Sequence, residues 1–209
     1  MTADLTNISL NHAIATFKSE QVTLRVATQG DVANVVALLD KCYRSDVGWT
    51  NEAHLIGGIR TTPAEIARMI DDPQIYLFVF ENPEQLGQIL GCISVTLPPK
   101  GNVKKENAPA NNTAAYIGTF AVAPQWQGKG VGNVMLNAVE TFATRHASSR
   151  GLTHFSMSVL NHRPELLAYY QRRGYRMTGE CEPFPTYGNN GVPKRENILL
   201  QSLQKPISA

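Results

Sequence analysis

Strand-like and helix-like segments alternate along this chain, and their order limits the folds that it can adopt. Residues 21–27 alternate apolar and polar side chains, which is the period of a half-buried strand. Residues 128–148 instead place their apolar side chains at helical spacing. The series contains no internal repeat and no second apolar centre. The sequence therefore predicts an α/β (α+β) protein with a single mixed sheet flanked by helices.

Helix-start and turn signals locate the other elements. Thr28 stands three residues before Asp31, which is a capping-box pattern, and Pro63 follows Thr62 as in the first turn of a helix. Residues 82–85 predict a hairpin turn. The remaining predicted helices begin near residues 32 and 163. The remaining predicted strands span residues 74–81, 88–97, 114–122, 153–160, 175–180 and 196–203.

The length of 209 residues suits one domain better than two. We interpret residues 1–19 as an N-terminal extension and residues 20–205 as the domain. Residues 98–113 are rich in Pro, Gly, Lys and Asn and lack apolar periodicity, so they predict a flexible loop within that domain.

Charge and apolar content argue against two classes of partner. The chain has 19 Lys and Arg against 17 Asp and Glu, without a basic stripe, which argues against nucleic-acid binding. Its longest apolar run, residues 75–80, is far shorter than the roughly 20 residues of a membrane helix. The first 18 residues lack the basic start and continuous apolar stretch of a secretory signal. We therefore expect a cytoplasmic protein without a membrane span.

The cysteines predict free thiols. Cys42, Cys92 and Cys181 are odd in number, widely spaced and without a Cys-x-x-Cys pair, which argues against a disulfide framework and a zinc site. Cys92 lies in an apolar predicted strand, where free cysteine usually fills the core. We expect no metal site.

A glycine-rich segment, residues 127–132, joins a predicted strand to the start of the long predicted helix. A helix N-terminus offers unpaired N–H groups and partial positive charge, which attract phosphate. Gly128, Gly130 and Gly132 let the backbone approach an anion closely, and Lys129 adds a cation. The pattern predicts a pyrophosphate cradle. A tight turn that needs glycine for its conformation alone is the alternative.

Two well-known phosphate cradles fit this segment less well. A Walker loop needs Ser or Thr after Gly-Lys, but Gly130 follows Lys129, so a magnesium-nucleotide site lacks its hydroxyl ligand. A dinucleotide fingerprint needs a glycine where Asn133 stands. The segment also lies late in the chain and not in an opening βαβ unit.

The glycine segment carries a resemblance to a known family. The pattern Gln/Arg-x-x-Gly-x-Gly/Ala is matched by Gln127, Gly130 and Gly132. The sequence thereby resembles the GNAT superfamily of N-acetyltransferases, which has this pattern between a central strand and a helix. The superfamily's second motif, with a strand-end asparagine, a helical tyrosine and a glycine before an aromatic residue, is matched by Asn161, Tyr170, Gly174 and Tyr175. The resemblance covers about residues 21–203. It implies the GNAT-like acyl-CoA N-acyltransferase fold, with a mostly antiparallel, twisted sheet.

The resemblance also implies acetyl-CoA as a cosubstrate. The backbone groups expected to pair with the pantetheine arm belong to Phe120, Ala121 and Val122. The residues expected to hold the pyrophosphate are Gln127, Gly128, Lys129, Gly130, Val131 and Gly132. Asn161 is expected to be a further cofactor contact.

For catalysis, the resemblance assigns an acid but not a base. Tyr170 matches the family's thiol-facing tyrosine, and a phenol can donate a proton to the leaving CoA thiolate. Its neighbour Tyr169 points about 100° away on a helix, so we expect only one of the two to face the cleft. Glu52 is the first choice for the base and His54 the second, since they lie where the family forms one wall of its acceptor site. Glu180 is another possible acceptor contact.

These expectations define a leading function and its alternatives. We expect an N-acetyltransferase, an acyltransferase that moves an acetyl group from acetyl-CoA to the primary amine of a small molecule by direct attack. Acetylation of a protein N-terminus or lysine is one alternative, and a non-catalytic CoA-binding module is another. Homodimers are common in the superfamily, so a homodimer is an expectation from the resemblance alone.

Overall fold

A computed structural model describes residues 12–17, 20–82, 85–99, 113–186 and 191–208 of the chain. The strands within these ranges are β1 His12–Phe17, β2 Glu20–Val26, β3 Ile56–Gly57, β4 Ile75–Asn82, β5 Gln85–Thr96, β6 Ala114–Val122, β7 His154–Leu160, β8 Arg176–Pro183, β9 Val192–Pro193 and β10 Leu199–Pro206. The helices are α1 Val32–Tyr43, α2 Pro63–Asp71, α3 Val131–Arg145, α4 Ala147–Arg150 and α5 Pro164–Gln171.

Within the described ranges, eight strands form one sheet in the order β1-β2-β4-β5-β6-β7-β10-β8, while β3 and β9 pair separately. All neighbours in the large sheet are antiparallel except β6 and β7, which run parallel. This confirms the predicted mixed, mostly antiparallel sheet. The parallel pair is short, extending from Ala114 opposite His154 to Tyr116 opposite Ser156. Beyond Tyr116 the two strands separate, and the sheet opens at its centre.

Alternation along the strands supplies a core on each face of the sheet. In β4, Phe78 and Phe80 pack on the face covered by α3, whereas Leu77 and Val79 pack on the face covered by α1 and α2. The helices present matching apolar sides, with Met135 of α3 buried on one face. Helices therefore cover both faces of the sheet.

Two free thiols lie in the core next to β6. Cys42 and Cys92 are buried, whereas Cys181 is exposed, and all three are free, as predicted. Burial raises the pKa of Cys42 to about 11 and that of Cys92 to about 12, so both remain protonated at neutral pH. Cys42 donates to the carbonyl oxygen of Val122 at 3.3 Å. These thiols fill space and support β6.

The predicted helix-start signals are confirmed. Thr62 and Glu65 form a reciprocal capping box at α2, with Pro63 in the first turn. Thr28 and Asp31 do the same before α1. Asp31 additionally forms a bidentate pair with Arg25, with both N–O distances at 2.8 Å. This pair fastens the end of β2 to the start of α1.

We predict that Asp31→Asn lowers the free energy of unfolding at pH 7 by about 1–2 kcal/mol, after allowance for solvent screening. The hydrogen bonds from Arg25 lower the pKa of Asp31 to about 2. Because the folded-state pKa is depressed, the stabilisation is complete above about pH 4 and is lost as the pH falls towards 2. Urea unfolding at pH 7 and pH 3 should show a smaller difference at the lower pH. The exposed-site control Asp46→Asn should change little at either pH.

Several element bounds differ from the sequence-based predictions. β1 lies inside residues 1–19, the segment interpreted as an extension, and pairs along its whole length with β2. β8 continues to Pro183, three residues beyond its predicted end at Glu180. All residues of β8 are exposed, so no apolar alternation marks its end in the sequence. Of the predicted loop 98–113, residues 100–112 lie outside the described ranges.

No helix in the described part of the chain combines the length and the apolar character needed to cross a membrane.

Candidate active site

Two cavities meet where β6 and β7 separate. The first has a volume of about 590 Å³ and extends toward the N-terminus of α3. The second has a volume of about 320 Å³ and lies between β6, β7 and the segment that follows α1. Four residues line both cavities, and we call them the junction: Tyr43, Phe120, Leu166 and Tyr170.

The start of α3 borders the first cavity with glycine backbone. Gly128 has a φ of 71° and Gly130, the N-cap of α3, has a φ of 87°, a left-handed conformation that favours glycine. A Cβ built on Gly132 would lie 3.3 Å from the Tyr169 hydroxyl. The N–H groups of the first helical turn lack intrahelical partners, so this end of the cavity favours an anion.

Arg173 supplies a cation to the same cavity. Its guanidinium carbon lies 3.4 Å from the Tyr169 ring centroid, and it donates to the Tyr169 carbonyl oxygen at 2.8 Å. The guanidinium also contacts the side-chain oxygen of Asn133, which accepts from the Tyr169 hydroxyl at 3.0 Å. Arg173 was not among the site residues predicted from the sequence. Its position four residues after Tyr169, just past the end of α5, was the available signal.

Gln127 holds together one wall of the first cavity. Its side-chain oxygen accepts from the Trp49 backbone N–H at 2.5 Å, and its amide nitrogen donates to the Val122 carbonyl oxygen at 2.8 Å and to the Thr50 hydroxyl at 3.2 Å. Gly48 approaches it so closely that a Cβ there would lie 3.1 Å from the Gln127 oxygen. The side chain of Gln127 therefore ties the segment after α1 to β6.

Charged groups are concentrated in the second cavity, which is lined by Arg44, Glu52 and Arg60. Glu52 lies 3.5 Å from Arg44 and 3.7 Å from the buried Arg163. Burial raises the pKa of Glu52 above its ordinary value, although three guanidinium groups oppose the shift. The Glu52 carboxylate in the second cavity therefore binds a proton more readily than the carboxylate of an exposed glutamate does.

Arg163 fixes the segment that carries Glu52. Its side chain is 2% exposed and donates to the carbonyl oxygens of Trp49 at 3.0 Å and Thr50 at 3.1 Å. Its Nε contacts Glu165 at 2.5 Å. Because a buried guanidinium needs such partners, Arg163 positions residues 49–52 against the junction. This role of Arg163 was not predicted from the sequence.

Comparison with known proteins identifies the family. The sequence matches the Acetyltransferase (GNAT) family over residues 32–175, which is more than half of the chain. The chain belongs to the GNAT family of acetyltransferases. No curated protein matches the sequence.

Solved structures with the same fold differ in their acceptors. One is provisionally assigned as a phosphinothricin N-acetyltransferase (20% identity, 90% of this chain and 99% of that chain, TM-score 0.59). Another is a chimera of the spermidine N-acetyltransferase SpeG from Vibrio cholerae with hSSAT (16% identity, 90% and 96%, TM-score 0.58). A third is the ribosomal-protein-S18-alanine N-acetyltransferase from Escherichia coli (12% identity, 89% and 94%, TM-score 0.58). At these identities, the likeness concerns the fold.

The structure separates the predicted cofactor residues of this GNAT protein into two groups. Those that line the first cavity are Phe120, Val122, Gln127, Gly128, Gly130 and Gly132. Those that do not line it are Ala121, Lys129, Val131 and Asn161.

The second group has other contacts. Ala121 and Val131 are buried in the cores on opposite faces of the sheet. The Lys129 ammonium lies 4.9 Å from the Trp126 ring centroid. Asn161 donates to the Asn197 carbonyl at 2.9 Å and accepts from the Leu199 N–H at 3.0 Å, so its amide fastens the start of β10.

The edge of β6 expected to pair with the pantetheine arm has no strand partner beyond Tyr116 within the described residues. Two of its carbonyls already accept hydrogen bonds from side chains. The Tyr43 hydroxyl donates to the Phe120 oxygen, and Gln127 donates to the Val122 oxygen. The Val122 oxygen also accepts from the Cys42 thiol at 3.3 Å, so both of its lone pairs are used. The Phe120 oxygen keeps a second lone pair and can accept one further hydrogen bond.

The predicted catalytic residues are partly brought together. Tyr170 lies at the junction and Glu52 lines the second cavity, whereas His54 and Glu180 are exposed and line neither cavity. The expectation that only one of Tyr169 and Tyr170 faces the cleft was wrong, since both line the first cavity. A cavity this wide borders two helical positions 100° apart, but only Tyr170 also reaches the second cavity.

Within the described residues, no cluster of three His, Cys, Asp or Glu side chains is placed to hold a metal ion.

Proposed function

We propose that this GNAT protein transfers an acetyl group from acetyl-CoA to the primary amine of a small molecule. The junction is the observation that carries the proposal. It connects a cavity that ends at a glycine-lined helix N-terminus with a second cavity that contains the largely buried carboxylate of Glu52. Two substrates entering from opposite sides would meet at Tyr43, Phe120, Leu166 and Tyr170.

The first cavity fits acetyl-CoA in size and chemistry. Its volume of about 590 Å³ lies within the usual range of about 300–1,000 Å³ for small-ligand sites. The backbone around Gly130 and the Arg173 guanidinium would hold the pyrophosphate, and the open edge of β6 would accompany the pantetheine arm. Acetyl-CoA supplies an acetyl group already activated as a thioester.

The second cavity fits a small amine. At about 320 Å³ it is near the lower end of the range for small-ligand sites, which favours a small acceptor over a peptide. Glu52, directly or through water, accepts a proton from the acceptor ammonium, because an alkyl amine with a pKa of about 10.4 is otherwise mostly charged at neutral pH. The amine nitrogen then bonds to the acetyl carbon as the carbon–sulfur bond breaks. Tyr170 provides the proton for the leaving thiolate.

We predict that Gly130→Asp weakens acetyl-CoA binding more than tenfold, which corresponds to about 1.4 kcal/mol. The substitution adds a negative charge beside the phosphate site and a side chain at a φ of 87°. Isothermal calorimetry with acetyl-CoA measures the effect. Gly179→Asp is a matched control, because Gly179 has a φ of 90°, with open space around it, on the exposed strand β8. Equal affinities in these two folded variants would place the pyrophosphate elsewhere.

The proposed reaction is tested by CoA release and acetylated product, measured by mass spectrometry with amines, amino acids, polyamines and peptides. Transfer to at least one small amine is expected. Acetyl-CoA binding without transfer to any acceptor would contradict an enzyme and favour a CoA-binding module. Transfer to peptides alone would favour acetylation of a protein N-terminus or lysine.

A further inference from the structure

The second cavity has an unequal set of charges. Arg44 and Arg60 contribute two guanidinium groups and Glu52 contributes one carboxylate, while the other described side chains that line the cavity are uncharged. In the wall behind them, the Asp40 carboxylate accepts from the Arg60 backbone N–H at 3.1 Å, and Glu165 pairs with Arg163. Neither Asp40 nor Glu165 lines the cavity, so the surface that faces an acceptor has an excess of positive charge.

These charges lie close to the junction. The Arg60 guanidinium carbon is 5.0 Å from the ring centroid of Tyr43, a junction residue. Arg44 adjoins Tyr43 in the chain, and its NH1 lies 3.5 Å from Glu52. An acceptor whose ammonium contacts Glu52 would therefore have any neighbouring substituent within reach of two guanidinium groups.

We propose that the acceptor carries a carboxylate next to its amine, so that Arg44 and Arg60 bind the carboxylate while Glu52 binds the ammonium. This inference rests on the proposed function and names its substrate class, an amino acid. Guanidinium groups recognise carboxylates through paired N–H donors, and such charge-assisted bonds are strong in a partly buried site.

The remaining wall indicates the kind of side chain that fits. Five apolar residues also line the cavity: Met157, Val159 and Leu160 from β7, together with Phe184 and Leu200. These apolar groups suit an aliphatic or thioether side chain. A polyamine fits poorly, because its second ammonium would face the guanidinium groups of Arg44 and Arg60.

The test uses matched probes that differ only in the carboxylate. Leucine and 3-methylbutylamine form one pair, and methionine and 3-methylthiopropylamine form another, with spermidine as a polycation. Binding is measured by calorimetry in the presence of CoA, and transfer is measured separately by mass spectrometry with acetyl-CoA. Within at least one pair, we expect the amino acid to bind and react about 10- to 100-fold better than its amine.

Variants assign the preference to the guanidinium groups. Arg60→Met should remove most of the preference for the amino acid, and Arg44→Met should do the same if the variant folds. Arg60→Lys keeps the charge without the paired donors and should restore part of the preference. Arg176→Met, on the exposed strand β8, is the control for loss of a surface cation and should behave as wild type.

The outcomes separate this inference from the proposed function. Amino-acid preference in binding without any transfer would support the acceptor class and contradict the acetyltransferase proposal. Transfer to amines or spermidine with no carboxylate preference in either pair would support the acetyltransferase proposal and contradict the proposed acceptor class. A preference that persists in both Arg60→Met and a folded Arg44→Met would overturn the assignment to these residues.

Discussion

Replacing Tyr170 with phenylalanine is expected to lower kcat about 100-fold or more while acetyl-CoA affinity stays nearly unchanged. Removal of a positioned acid typically reduces the rate by about 10²- to 10⁴-fold. Tyr170 is 7% exposed, and its ring remains in place in the variant, so the change removes one hydroxyl from the junction. Single-turnover measurements with bound acetyl-CoA and a reactive acceptor would report the chemical step directly.

The environment of Tyr170 suggests how this hydroxyl acts. Burial raises the pKa of Tyr170 well above its ordinary value, so the phenol remains protonated at every working pH. With acetyl-CoA bound, the Tyr170 hydroxyl would be able to donate a hydrogen bond to the departing sulfur from the start, and its proton would follow as negative charge develops there. Because a phenol of raised pKa is a weaker acid, we expect an effect near the lower end of the stated range.

The adjacent tyrosine provides a matched control. Tyr169→Phe removes a hydroxyl that donates to Asn133 at 3.0 Å but leaves the ring against Arg173 and Trp49. We expect a change in kcat of less than about threefold. A larger loss of kcat in Tyr169→Phe than in Tyr170→Phe would transfer the acid role to Tyr169. Wild-type kcat in both variants would remove a protein acid from the mechanism.

Local signals predicted most of the fold because each arises from neighbouring residues. The Thr62 and Glu65 capping box and the alternation of β4 need no information from distant parts of the chain. The end of β8 was harder to predict, since an edge strand with both faces exposed carries no apolar pattern. Its length depends on pairing with β10, where Leu199 lies opposite Pro183.

For the candidate site too, local features could be predicted from the sequence, whereas long-range contacts could not. The glycine motif located the N-terminus of α3, because positive φ at Gly130 is a local requirement. The contacts of Arg163 with the segment at Trp49 and Thr50 could not be read from the sequence, since they join residues more than 110 positions apart. Arg44 and Arg60 likewise line the same cavity as Glu52 only after the chain has folded. Their placement gives Glu52 the environment on which the next prediction depends.

Glu52→Gln is expected to lower kcat/KM for the amine about 100-fold at pH 7, with little change in acetyl-CoA affinity. The substitution keeps the shape of the side chain and removes the proton acceptor. Burial raises the pKa of Glu52, so the wild-type rate should fall on the acid side at a pH above the ordinary carboxyl value of 4.5. In the variant, the acceptor must lose its proton without this base. The acid limb of the profile should then move towards the amine's own pKa of about 10, and the deficit should shrink at high pH.

A second carboxylate tests whether this effect is chemical or structural. Glu165 pairs with Arg163 at 2.5 Å, as Glu52 does at 3.7 Å, but Glu165 is 45% exposed and lines neither cavity. In Glu165→Gln, Arg163 loses one ion partner, while the proposed base Glu52 is kept. It should keep the wild-type pH profile, and thermal unfolding of both variants would confirm that each is folded. A pH profile of Glu52→Gln that matches wild type would assign proton removal to water or to another group, and Glu52 would then serve only to balance the charges of Arg44 and Arg163.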